Sequence, residues 1–211
     1  MALYYQDDIL LTLSYLRGER TVPTSNTEGR KEFIQQTLNE LYAAYRWKWN
    51  EVSTYITVIS GIATLPSGLS LNHELAVSYD NGTDETLYDE INSVDKSAAQ
   101  QGQNLYWIST IDGERHKLHT KETVALLSLV YQPVAPIVSS TIGTPYPDRL
   151  TISLGANRFV KLSEDPDADL AQDDTLFQNR MNINISAQNR PRPKRERRSI
   201  QSETGSYTGE F

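Results

Sequence analysis

The stretch TEGRKEFIQQTLNELYAAYRWKW, residues 27–49, decides how the rest of the chain is read. Ile34, Leu38, Leu41 and Tyr45 recur at helical spacing and form one apolar face, which Phe33 and Tyr42 widen. Arg30, Lys31, Glu32, Gln35, Asn39 and Glu40 fall on the other side. Asn26 or Thr27 is placed to cap the first turn, and Glu28 suits the positive end of the helix dipole. A stripe this wide predicts burial against other helices. At the end Tyr45, Trp47 and Trp49 alternate with Arg46 and Lys48, so helical period gives way to strand-like alternation. The chain is expected to leave a helix there and enter a β region.

Working outward towards the N-terminus, Tyr5 to Leu16 reads as a first helix with Ile9, Leu10, Leu13 and Leu16 on one face and Gly18 as its stop. On the other side, residues 52–131 are rich in β-branched residues and turn signals. VSTYITVIS, GIATLPSG, HELAVSY, ETLYDEI, NLYWISTI, RHKLHT and ETVALLSLVYQPV are strand candidates, the last being the longest. Asp80-Asn81-Gly82 and Asp112-Gly113 supply turn chemistry, and SVDKSAAQQG reads as a short helical turn. Short strands at this spacing predict an antiparallel barrel or sandwich. Pro133, Pro136, Pro145 and Pro147 then punctuate a crossing back to helical grammar. A third helix is expected over residues 148–163 with Leu150, Leu154, Phe159, Val160 and Leu162 inward, Gly155 weakening it. A fourth is expected from Asp165 as N-cap and Pro166 at its first position to about Asn189, with Leu170, Phe177, Met181 and Ile185 in register. The expected fold is α+β: a helical bundle from residues 1–50 and 136–189, an inserted antiparallel β-barrel or sandwich over 51–135, and an extended C-terminal arm over 190–211.

Composition sets bounds on function. The chain has 211 residues, 38% of them apolar, and a mean hydropathy of −0.52, polar for a globular protein yet too apolar for a disordered one. It has no cysteine, which excludes disulfides and thiolate metal sites. No apolar run is long enough to span a membrane, and MALYYQDD lacks the pattern of a signal peptide, so a soluble protein made in the cytoplasm is expected. The net charge of −7 is unevenly placed: residues 190–198, RPRPKRERR, carry +5, while residues 1–189 carry −10. An acidic body with a basic arm is the dominant charge pattern.

Candidate sites are few. His116 and His119 would point to opposite faces of a strand, so they do not chelate together, and His73 is remote in sequence. Asp165, Asp167 and Asp169 begin like a calcium loop, but Leu170 and Leu176 stand where that loop needs Gly and Glu, so an acidic helix start explains them better. There is no phosphate-binding glycine loop, nucleophile elbow or zinc-protease motif. No catalytic residue, cofactor or metal is expected. YRWKW interleaves aromatic rings with cations as single-strand binders do, yet it sits in an acidic body, and core closure with Arg46 and Lys48 reaching outward is the better reading. The arm is different. Pro191 and Pro193 favour an extended path, the cations Arg190, Arg192, Lys194, Arg195, Arg197 and Arg198 cluster on it, and Tyr207 and Phe211 are apolar anchors near its end. These eight residues are the expected partner-binding set.

Four quoted segments together carry a resemblance: DDILLTLSYLRGER, EGRKEFIQQTLNELYAAYRWKW, TKETVALLSLVYQPVAP and EDPDADLAQDDTLFQNRMN. In this order, around a β insertion, they resemble the head–tail adaptor proteins of tailed bacteriophages, also called head completion or neck connector proteins. The resemblance implies a non-enzymatic virion protein at the head–tail interface. It implies a twelvefold ring of self-contacts on the portal protein, joined distally to the next neck or tail-tube component. DNA would pass through the lumen without sequence-specific contact, and residues 190–211 would be the portal-docking arm. The alternative left open is a nucleic-acid-binding protein that uses the basic C-terminal arm.

Overall fold

A computed structural model describes residues 3–80, 85–92, 95–97, 100, 102–109, 116–121 and 126–189. Among these residues the fold is mixed α and β, with four helices and a seven-stranded, nearly closed barrel-like sheet. The helices are α1 (Gln6–Leu16), α2 (Thr27–Ala44), α3 (Arg149–Glu164) and α4 (Ala171–Asn189). The strands are β1 (Val52–Thr57), β2 (Ile62–Thr64), β3 (Ala76–Asp80), β4 (Glu85–Glu90), β5 (Leu105–Ser109), β6 (Lys117–Thr120) and β7 (Leu126–Tyr131). No helix of the described residues is long and apolar enough to cross a membrane.

The helical face of α2 is buried as its spacing predicts, through Ile34, Leu38, Leu41 and Tyr42. Ile9, Leu10 and Leu13 of α1 and Ile152, Ala156 and Val160 of α3 share that core, and Phe177 of α4 closes it with Met181 and Ile185. Several finer expectations differ. Leu16 and Leu162 are exposed, not inward. Arg30, expected on the polar side, is only 5% exposed. Its guanidinium donates to both Glu19 carboxylate oxygens at 2.6 and 2.8 Å, because Gly18 ends α1 with a turn that brings Glu19 back over α2. Asn26 takes the N-cap place of α2 at φ 61° without a side-chain cap bond, and the Thr27 hydroxyl donates instead to the Pro23 carbonyl.

The inward face of α3 is small and polar: Thr151, Ser153, Gly155, Ala156 and Asn157 are buried beside Ile152 and Val160. Gly155 does not mark a weak helix. A Cβ there would overlap Thr37 Cγ2 and stand 2.9 Å from Phe177 Cε2, so α2, α3 and α4 approach one another through this glycine. Asp148 caps α3, accepting from Leu150 N at 3.0 Å. Asp165 is a correction: it is the C-cap of α3 and turns the chain by accepting from Asp167 N, with Pro166 in the turn. The start of α4 falls at Ala171, whose N–H donates to Asp169.

The strands run in the order β1-β7-β3-β4-β5-β6-β2. Every neighbouring pair is antiparallel except β4 and β5, which run parallel over Asp89↔Leu105 and Glu90↔Tyr106, where an all-antiparallel sheet was expected. Ile56, Val77, Tyr88, Tyr106, Leu118, Leu127 and Leu129 point inward and form a second apolar core. Closure comes from the β1–β2 turn, where Ile59 and Ile62 exchange both backbone hydrogen bonds. Ser60 and Gly61 both have positive φ, as the two-residue turn of a twisted hairpin requires, and a Cβ on Gly61 would strike the Thr120 carbonyl. The β5–β6 pairing agrees with the expected hairpin, while Asp112-Gly113 lies outside the described residues, as do Asn81-Gly82, residues 122–125 and half of SVDKSAAQQG.

Candidate functional site

The expected partner-binding residues Arg190, Arg192, Lys194, Arg195, Arg197, Arg198, Tyr207 and Phe211 lie outside the described residues. The described residues end at the C-terminus of α4. Helix α4 ends where the helices meet the sheet: Asn189 Nδ2 donates to the Tyr45 hydroxyl at 3.0 Å, and Gln188 accepts from Lys48 N at 3.1 Å. Further back, Asn184 donates to Thr151 at 3.0 Å, Lys161 and Asp173 pair at 2.6 Å, and the Arg158 guanidinium lies 4.3 Å from the Phe177 ring centroid while holding Asp174 at 3.0 Å. The C-terminal end of α4 is therefore anchored to the junction of helices and sheet.

The surface beneath that root is the YRWKW turn. Trp47 is fully buried and its Nε1 donates to the Leu41 carbonyl at 2.7 Å. Its ring meets Tyr45, Trp49 and Tyr146 at centroid distances of 5.2 to 5.7 Å. Arg46 turns to Glu51 at 2.9 Å, and Lys48 is exposed. Core closure is thus the role of these aromatics, and stacking on nucleic-acid bases is not available to the buried Trp47 ring. Gln132, also buried, donates to the Trp47 carbonyl at 2.9 Å, and His73 Nε2 lies 2.8 Å from the Tyr42 carbonyl, so the sheet is tied to the end of α2.

The three histidines are apart. His73 is taken up by Tyr42, and among the described residues no group of three or more His, Cys, Asp or Glu could hold a metal. His119 sits on the outer face of β6, its Nε2 2.6 Å from Ser109 Oγ and its ring stacked at 5.5 Å on Trp107. Sequence reading missed this pair, since only the Trp107↔His119 register of β5 and β6 brings Ser109 diagonal to His119. A serine hydrogen-bonded to an imidazole is half of a hydrolytic triad. Here burial lowers the His119 pKa first, with Lys117 and Lys96 adding to it, so its charged neighbours are cations where a triad places a carboxylate. The imidazole is held between Ser109 and Trp107, and among the described residues no carboxylate is hydrogen-bonded to it.

The chain matches no protein-family model and no curated protein sequence.

The outer surface of the sheet divides into two faces. On β1, β7, β3 and β4 the register places Tyr55, Ser128, Ser78 and Leu87 in one row across four strands. Tyr55 is 66% and Leu87 67% exposed, Leu126 is exposed nearby, and Glu85 and Asp89 flank Leu87 on its own strand. On β5, β6 and β2 the corresponding row is Trp107, His119 and Ile62, with Lys117 in the next row. In the first row the exposed Tyr55 and Leu87 stand on the outer strands with Ser128 and the buried Ser78 between them, and the second row is aromatic at Trp107 and His119.

Proposed function

We propose that this protein is a non-enzymatic structural head–tail adaptor of a tailed bacteriophage, forming a ring that joins the portal to the neck or tail around the DNA channel. In this reading the helices, residues 1–50 and 136–189, act as a bundle that carries residues 51–135 as an inserted module and residues 190–211 as the docking arm. The observation that carries it is the pairing of a −10 body with a +5 arm whose root, Gln188 and Asn189, is pinned to the junction of helices and sheet. A tether rooted this way delivers its cations and its terminal aromatics to a neighbouring protein without disturbing either core. An acidic body suits a channel wall, since like charge lets DNA slide past it. The order of segments that resembles the adaptor family supports the same reading.

Truncation after Asn189 tests it. The body should keep its circular dichroism, and binding to the portal ring of its phage should fall at least tenfold. Replacing the six arm cations with Gln should weaken docking in a salt-sensitive way, by about 1 kcal/mol per desolvated contact. A truncated chain that binds portal as tightly as the full one would refute the docking arm. The six clustered cations also favour a second reading, nucleic-acid binding. Salt-dependent DNA binding by the isolated chain, lost with the arm, would select it.

A further inference from the structure

Leu16 of α1 is 41% exposed and Leu176 of α4 is 46% exposed. With the half-buried Leu154 of α3 they line a groove of about 430 Å³ where the end of α1, α3 and the first turns of α4 meet. Arg17 lines it as well. Its two terminal nitrogens donate to Asn157 and Glu164, but its buried Nε has no hydrogen-bond acceptor, the Glu19 carboxylate standing off at 3.8 Å. Apolar walls with one unpaired buried donor suit an aromatic ring that carries an oxygen. The turn that joins the groove's Lys161 to its Gln172 exposes Asp165, Asp167 and Asp169. Among the described residues none of these three is in an ion pair, whereas Asp173 and Asp174 are already paired with Lys161 and Arg158.

One segment of this chain carries both complements. Residues 190–198 hold six cations and one Glu, and Tyr207 follows them. Helix α4 has 19 residues, so its start lies about 28 Å back from Asn189. The nine residues 190–198 in an extended, proline-containing path span about 28 Å too. Turned back along α4, that path brings Arg195, Arg197 and Arg198 level with Asp165, Asp167 and Asp169, and the chain from there to Tyr207 leaves slack to enter the groove. Tyr207 supplies both the ring and the oxygen; Phe211 supplies no oxygen.

We propose that residues 190–211 seat on their own body, with the cations over the Asp165–Asp169 turn, the Tyr207 ring in the Leu16–Leu154–Leu176 groove and its hydroxyl accepting from Arg17 Nε. This rests on the reading of the segment as a docking arm and adds its regulation, since a seated arm is withheld until a partner competes for it. A tether of this length keeps its end at about millimolar effective concentration, so a contact too weak to capture a separate molecule still holds the arm.

The chain has no cysteine, so a disulfide trap tests the seat on the full chain without background. Gln172→Cys stands at the groove, Ser206→Cys beside Tyr207, and Ser53→Cys, exposed on β1, is the control position on the body. In dilute protein under a mild oxidant, the 172–206 pair should close an internal disulfide at least tenfold faster than the 53–206 pair, at a rate independent of protein concentration. Asp165→Asn, Asp167→Asn and Asp169→Asn together keep the oxygens that hold the turn but remove its charge, and should slow closure about fivefold, as should high salt. Tyr207→Ala should slow it about tenfold and Tyr207→Phe by less. The locked chain should bind portal at least tenfold more weakly than the same chain reduced. Four results would overturn the proposal: equal closure of the two pairs, closure indifferent to the Asn substitutions and to Tyr207→Ala, disulfides that form only between chains, or a locked chain that binds portal as tightly as the reduced one. Rapid, charge-dependent closure in a chain that does not bind portal when reduced would uphold the seat and count against the adaptor reading alone.

Discussion

Replacing Gly155 with alanine sets two opposing effects against each other, and their balance depends on the three-helix crossing. In an exposed helix interior the change would stabilise by about 1 kcal/mol through helix propensity. Here the new Cβ overlaps Thr37 Cγ2 and comes within 2.9 Å of Phe177 Cε2 and 3.1 Å of Thr37 Oγ1. Thr37 is fully buried and its hydroxyl donates to the Phe33 carbonyl at 2.9 Å, so it cannot turn aside without losing that bond. Phe177 is held between the crossing and the Arg158 guanidinium. Overpacking of this kind costs typically about 1–3 kcal/mol, and with two neighbours restrained the net expectation is a loss of about 2 kcal/mol. For a chain of this size that lowers Tm by about 4–8 °C. Thr37→Ser removes the colliding methyl. Alone it should cost about 1 kcal/mol as a small cavity, but in the Gly155→Ala background it should be neutral or stabilising. Urea unfolding followed by far-ultraviolet circular dichroism on the four proteins gives the coupling energy, expected at about 1–2 kcal/mol in favour of the double variant. A more stable Gly155→Ala, or additive effects with Thr37→Ser, would refute the close approach of α2, α3 and α4.

Glu19→Gln should cost about 2–3 kcal/mol in urea unfolding, because it removes the charge opposite a buried Arg30. The Arg30 hydrogen bonds hold the Glu19 carboxyl below its ordinary 4.5, so its contribution is present above that pH and lost on acidification; the Gln variant should lose less stability in acid. Burial raises the phenols of Tyr42, Tyr106 and Tyr146 above their ordinary 10.0. An acid whose folded pKa is raised favours the folded state below its unfolded pKa and ceases to as pH rises, so stability should fall above pH 10, and phenolate absorbance should show these rings ionising only with unfolding. Trp47→Phe removes the bond to the Leu41 carbonyl and part of a fully buried ring, and should cost about 2–4 kcal/mol in the same unfolding assay.

The elements most legible in the sequence are those whose periodicity is apolar. Ile34, Leu38 and Leu41 mark the buried face of α2, and alternation around Tyr88, Tyr106 and Leu118 marks the strands, because burying these side chains supplies the driving force that fixes each segment. The buried face of α3 was illegible for the opposite reason. Ser153, Gly155 and Asn157 carry no hydrophobic signal, and their value is the close helix approach they permit. Arg30 misled because a cation within a helical pattern reads as solvated, and its partner Glu19 belongs to the segment following α1. Asp165-Pro166 has the chemistry of a helix start, yet the same carboxylate serves the turn that ends α3. The outer row of the sheet was illegible too, since Tyr55, Ser128, Ser78 and Leu87 align only through the register of β1, β7, β3 and β4.

Docking to a portal is tested most directly by mass. Portal rings are mixed with excess full-length chain, the unbound fraction is removed, and the complex is weighed by light scattering. An adaptor that closes as a twelvefold ring predicts a gain equal to twelve copies of the 23.9 kDa chain, abolished by truncation after Asn189. No gain in mass, or a gain unchanged by that truncation, would contradict it.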